Sequence, residues 1–304
     1  MMRQSSRLRN VLVFLALVIS AQTISATESS SVDVSTRPPA VRSIRLYVFD
    51  CGTIHVADTM RYELKREEVT TSDLSVPCFL IAHPKGTLMW DVGAVPDAEW
   101  MPTGSKLTHR LSLPDGQSRD IDITNSLGSQ LRAIGYSPAT IRFLALSHYH
   151  YDHTANAAAF AGSTWLVRKI ERDAMFSVPA PGTTRPETYA ALNGAKTVLI
   201  DTDDYDVFGD GSVIIKSAPG HTPGHQLLFL RLPRTGPVLL SGDLYHFPQE
   251  RTLSRFPVFE FDKEQTRRSR VLVESFLKST GAQLWIQHDA VADATRRKAP
   301  AFYE

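Results

Sequence analysis

The stretch HYHYDH, residues 148–153, decides how the rest of the chain is read. It follows directly on residues 141–147 (IRFLALS), an apolar run that predicts a strand. If the backbone stays extended past Ser147, His148 and His150 point to the same side. Two imidazoles on one side begin a metal site. Asp152 and His153, at the turn that follows, then aim at a second metal close by. Imidazole and carboxylate donors suit zinc, and the same donors take iron, manganese or cobalt. Packed together without a metal, these side chains would repel on protonation. His55, His83 and His109 stand alone and read as surface or hydrogen-bonded residues.

Three further segments supply partners. PGHTPGH (219–225) follows a strand at Val213–Ser217, and its Gly and Pro residues make a tight loop that presents His221. SGD (241–243) follows a strand at 238–240 and offers Asp243, a carboxylate able to bridge two metals. QHD (287–289) closes a strand at 284–287 and offers His288. All four groups lie at or just after predicted strand ends, so one edge of a sheet sandwich collects them.

Other runs complete the pattern. Strands are expected at 45–49, 78–83, 87–91, 164–167, Thr197–Ile200 and Gln226–Leu232. Helices are expected at 123–134, 157–160, 168–176 and 262–278. Strands in both halves, with helices after each set, predict an α/β (α+β) sandwich with two sheets.

Composition narrows the class. The chain has 304 residues, 33 Lys and Arg against 32 Asp and Glu, and 42% apolar residues, which is globular and too nearly neutral to suggest nucleic-acid binding. Residues 1–26 read as an export signal, with Arg3, Arg7 and Arg9 ahead of the nine-residue apolar run VLVFLALVI. That run is short for a membrane span, although an uncleaved anchor has the same pattern. Residues 27–40 read as a linker and 41–304 as one domain. Cleavage after Ala26 would leave 30 basic against 32 acidic residues. Export leaves Cys51 and Cys78 either disulfide-bonded or buried as two thiols.

With these motifs in order, the chain resembles the metallo-β-lactamase superfamily. The matching segments are HYHYDH, PGHTPGH, SGD, QHD and the early turn Asp91-Val92-Gly93. Within it, VPCFL (76–80), DDYDV (203–207), FPVF (256–259) and the late His288-Asp289 are similar to the N-acyl homoserine lactone lactonases. The resemblance implies an αββα sandwich of two mixed sheets. It implies one zinc on His148, His150 and His221, another on Asp152, His153 and His288, and Asp243 bridging them together with a hydroxide. It implies that this hydroxide opens a small-molecule lactone, a quorum-quenching activity, with Asp152 shuttling the proton. Asp91 would orient ligands, and His225 would pack the loop.

Two departures qualify it. The lactonases place a Tyr three residues after the bridging Asp, whereas here Tyr245 is two after and His246 three after. Tyr245 is the named candidate for contacting the carbonyl, with His246 the open alternative. Thr154-Ala155-Asn156 stands where relatives carry Gly. Segments 94–122 and 244–260 are candidate pocket walls, with Met101, Leu107, Phe247 and Phe256 as apolar lining. Alternative readings are an exported β-lactamase, arylesterase or phosphotriesterase, or a catalytically silent metal-binding protein. Export makes a glutathione thioesterase a weaker fit.

Overall fold

A computed structural model describes residues 38–99, 105–114 and 116–304. The expected export signal, most of the linker and Met101 lie outside the described residues.

The first sheet is built from β1 (Arg45–His55), β2 (Asp73–His83), β3 (Gly86–Trp90), β4 (Leu107–Ser112), β5 (Ser118–Ile123), β6 (Phe143–Ala145), β7 (Thr164–Arg168) and β8 (Thr197–Ile200). The second comprises β9 (Asp204–Asp206), β10 (Val213–Ser217), β11 (Gln226–Leu232), β12 (Gly236–Leu240) and β13 (Gln283–Trp285). A terminal strand, β14 (Phe302–Tyr303), returns to pair with β1. Strand order is β4-β5-β1-β2-β3-β6-β7-β8 in the first sheet and β13-β12-β11-β10-β9 in the second. Both are mixed: β3, β6, β7 and β8 run parallel, as do β12 and β13.

Side-chain alternation sets the layers. From β1, Leu46 and Val48 join Ile215, Leu228, Leu230 and Leu240 between the sheets. Tyr47 and Phe49, the intervening residues, face the other way into a core that includes Leu127, Leu131, Met175 and Tyr189. Those four belong to α1 (Leu127–Ala133), α3 (Lys169–Met175) and α4 (Pro186–Tyr189); α2 (Tyr151–Thr154) lies between α1 and α3 in the chain. On β11, Leu227 and Phe229 face outward onto Val273 and Leu277. These two belong to α6 (Lys263–Thr280), which is preceded by α5 (Pro248–Leu253) and followed by α7 (Ala290–Asp293). The result is the expected four-layer αββα sandwich. Among the described residues no helix is long and apolar enough to cross a membrane.

Two local expectations are corrected. The helix expected over 123–134 begins only at Leu127, because Ser126 caps it by accepting from the Ser129 N–H at 3.2 Å. Segment 94–122, read as a candidate pocket wall with no strand assigned, contains most of the β4–β5 hairpin, whose largely polar strands carry little apolar signal.

Cys51 and Cys78 form a disulfide between β1 and β2. It lies beneath the Asp91 turn: Gly93 has φ +87°, and a Cβ there would come within 3.1 Å of Cys51 Cβ. The cross-link spans 27 residues of sequence. On loop-closure entropy alone, a loop of this size contributes about 3–4 kcal/mol. Urea denaturation of the Cys51→Ser/Cys78→Ser variant is therefore expected to show a clearly lower midpoint. An unchanged midpoint would contradict this role.

Candidate metal centre

Four loops at one edge of the sandwich converge. His148, His150, His221 and Asp243 bring potential ligand atoms within 4.8 Å of one another, and so do Asp152, His153 and His288. All seven are buried. Asp243 sits between the groups. Its Oδ2 is 3.4 Å from both His148 Nε2 and His221 Nε2. Its Oδ1 is 3.1 Å from both His153 Nε2 and His288 Nε2. Asp152 Oδ2 lies 3.6 Å from His288 Nε2.

Each motif is held from behind. Asp91, at φ +54°, receives the Ser147 N–H at 2.6 Å and the His153 Nδ1–H at 2.9 Å. Gln287 donates to Asp91 at 2.9 Å and accepts from Trp90 and the Gly242 N–H, joining three loops through one amide. His221 Nδ1 donates to Glu260 at 3.1 Å, and His288 Nδ1 donates to the Ser75 carbonyl at 2.7 Å. Ser147 Oγ lies 3.0 Å from His148 Nδ1. With Nδ1 occupied, these imidazoles turn Nε2 inward, as metal-binding histidines do.

His225 is not in either group. Its Nδ1 donates to the Ala218 carbonyl, and its Nε2 accepts the Asp243 N–H, both at 2.9 Å. Burial, reinforced by His221, lowers its pKa to about 4, so the neutral ring fixes the Asp243 backbone. Two glycines permit this packing. Gly242 has φ +47°, and a Cβ there would meet His225 Nε2 at 2.5 Å. A Cβ at Gly220 would overlap the backbone of Thr266.

The donors fit divalent cations. Among the described residues, His148 Nε2, His153 Nε2, His288 Nε2 and Asp243 Oδ1 are buried without a hydrogen-bond partner. Buried polar atoms are normally paired, and leaving several unpaired in one place is costly. A cation in each group would satisfy them together, and nitrogen and carboxylate donors suit zinc.

Tyr245 requires correction. Its hydroxyl donates to Glu274 at 3.1 Å and its ring lies under Arg270, away from the clustered histidines. It lines a separate cavity of about 790 Å³ between α5 and α6. The chain turns after β12, with the Leu244 N–H donating to the Ser241 carbonyl, so residues three apart share a side. His246 therefore reaches the centre, with Nε2 3.2 Å from Asp243 Oδ2. Its Nδ1 lies 3.3 Å from Glu250 Oε1, and Glu250 Oε2 accepts the His246 backbone N–H at 3.2 Å and Arg270 at 3.0 Å.

A cavity of about 40 Å³ opens beside Asp152, Asp243 and His246. Ile54, Tyr62, Leu74, Leu113, Tyr151 and Phe259 give it apolar walls, and Arg61 and Arg119 also line it. Leu107, Phe247 and Phe256, expected as lining, are not among its walls. Leu107 lies on the exposed β4, Phe247 packs against Tyr62 in the core, and Phe256 lines the larger cavity.

Sequence patterns also passed over Glu171, which ties the first two motifs together. It accepts the Tyr149 N–H at 2.9 Å, the Gly224 N–H at 2.7 Å and the Thr222 hydroxyl at 2.9 Å. No local motif marks it; it is one acid on α3.

The fold and paired site define a metallo-hydrolase of the αββα class. The family model for the metallo-beta-lactamase superfamily matches residues 71–279, and the chain belongs to that superfamily. Among curated proteins, the N-acyl homoserine lactonase AttM of Azorhizobium caulinodans is 29% identical over 265 residues, covering 86% of this chain and 99% of AttM. The N-acyl homoserine lactonase AiiA of Bacillus thuringiensis subsp. kurstaki is 25% identical over 238 residues, covering 76% of this chain and 87% of AiiA. A solved N-acyl homoserine lactone hydrolase, with N-hexanoyl-L-homoserine at its catalytic metal centre, shares the fold. Its TM-score is 0.69 at 22% identity, covering 85% of this chain and 98% of that one.

Burial pushes Glu171 up from 4.5 to about 7, outweighing the hydrogen bonds that favour its carboxylate. An acid raised in the folded state contributes stability that is full below its unfolded pKa and lost as pH rises through the folded one. For Glu171 that window runs from about 4.5 to about 7, with about 3 kcal/mol at stake. Glu171→Gln is expected to flatten the fall in stability of metal-free protein between pH 5 and pH 8. Parallel pH–stability curves for variant and parent would refute it.

Proposed function

We propose that this chain is a dizinc hydrolase that opens the ring of N-acyl homoserine lactones, a quorum-quenching activity. The observation that carries the reading is the placement of Asp243 between two buried donor groups, beside one small cavity. The lactonase names of relatives matched over nearly their whole length support the choice of substrate. His148, His150 and His221 would hold one ion and Asp152, His153 and His288 the other, with Asp243 touching both. When bound, such a pair supplies Lewis acidity at the ester carbonyl and lowers the pKa of a water towards about 7.

The protein's own groups do the rest. His246, rather than Tyr245, offers a ring N–H to the carbonyl oxygen where negative charge develops. Glu250, braced by Arg270, holds the His246 backbone N–H and lies beside the ring's other nitrogen. Asp152 borders the cavity and carries a proton to the alkoxide that leaves as the ring opens. Tyr62, Tyr151 and Phe259 pack around the lactone and exclude bulk water.

The decisive measurement pairs metal analysis with a hydrolysis panel. Zinc-loaded protein is expected to hold about two ions per chain and to open N-hexanoyl-homoserine lactone. His148→Ala and Asp243→Ala should lose metal and at least about a hundredfold in kcat/KM. Turnover of a β-lactam or an aryl phosphotriester alone, with no lactone opened, would overturn the substrate assignment.

We also read the chain as exported, to the periplasm or beyond. The Cys51–Cys78 disulfide supports this, since such bonds persist in oxidising compartments. Amino-terminal sequencing of the protein recovered from a periplasmic fraction should begin near Thr27. Recovery only from cytoplasm, with the leader intact, would refute export.

A further inference from the structure

The small cavity at the metal centre does not end at its apolar walls. Arg61, Tyr62 and Arg119 line it and also line an adjoining groove of about 380 Å³. A substrate whose ester reaches Asp243 therefore has a path for the rest of its length past these two arginines.

Neither arginine is neutralised. Both are half-buried, and among the described residues neither forms an ion pair with a carboxylate. The Arg61 guanidinium lies 5.2 Å from the centre of the Phe259 ring, which itself packs on His221 and His246. Arg119 is steadied by neutral acceptors, the Ser118 carbonyl at 3.0 Å and Gln117 Oε1 at 2.9 Å. Two acids line the same groove, and neither is paired with Arg61 or Arg119. Asp120 pairs with Arg110 at 3.1 Å, and Asp58 accepts the Met60 N–H at 2.9 Å. Two partly desolvated guanidiniums held by uncharged neighbours form a ready receptor for an anion, and guanidinium matches a carboxylate through paired hydrogen bonds.

The geometry points to a substrate class: lactones whose acyl part carries a carboxylate several atoms from the scissile carbonyl, bound by Arg61 and Arg119. This rests on the lactonase reading and narrows it. A purely aliphatic chain leaving the cavity would instead meet two unpaired charges and a polar groove.

The test compares N-glutaryl-homoserine lactone with its terminal carboxamide, which has the same size and no charge. For zinc-loaded enzyme, kcat/KM for the carboxylate is expected to exceed that for the amide about tenfold, the value of one charge-assisted hydrogen bond. The ratio should shrink as salt is raised. It should fall towards one in Arg61→Gln and Arg119→Gln. A wild-type ratio of one or below, or a ratio that both variants leave intact, overturns the proposal. If neither lactone is opened, the lactonase reading fails by itself, and the same two compounds are compared by titration calorimetry. There, tighter binding of the carboxylate that is lost in Arg119→Gln upholds the anion site, and equal affinities overturn it.

Discussion

The structure depends on one carboxylate held among buried imidazoles. Asp243 stands within 3.4 Å of four histidine Nε2 atoms contributed by three other segments of the chain, and of His246 on its own loop. An ionised group with no water around it survives only if the surrounding positive or donor groups are fixed in place. The imidazoles draw the Asp243 carboxyl well below the usual carboxylate range despite its burial. Much of the surrounding polar network serves that arrangement. Asp91 and Gln287 lock three loops together, Glu260 and Ser75 orient two rings, and His225 pins the Asp243 backbone. The sheets supply rigidity, and the loops at their common edge supply the donors.

How much of this was legible in the sequence follows from how local each signal is. The seven clustered residues fall in four short motifs, each after a strand, and strand ends in a sandwich meet at an edge. Val213–Ser217 and Gln226–Leu232 could be read to the residue because they alternate cleanly between two apolar faces. The β4–β5 hairpin escaped because only Leu111, Ile121 and Ile123 of its strands reach the core, too few and too scattered to read as an apolar run. Glu171, Glu260 and Glu250 escaped for a different reason. Each is a single acid whose partners lie on other segments, so its role exists only after the chain has folded. Tyr245 and His246 are adjacent in sequence, and only the turn at Gly242 decides which of them faces the centre.

The family pattern and this chain's own chemistry separate at the cavity. The buried donor groups are common property of the fold, and they say little about what is hydrolysed. Discrimination resides in the walls: aromatic and aliphatic side chains around the reacting bond, then cationic and polar ones beyond it. An enzyme built this way reads the first few atoms of its substrate by shape and the later ones by charge.

The disulfide has a consequence beyond its share of stability. Cys51 and Cys78 are the clasp of a covalent ring, and Ile54, Arg61, Tyr62 and Leu74 all lie on the segment that this ring encloses. Four of the cavity's thirteen described lining residues thus belong to a hoop whose two ends are fastened at the same spot, directly under the Asp91 turn. Such a hoop is closed at both ends by one covalent bond. The single sulfur bond limits how far the two ends of the segment carrying these four wall residues can part.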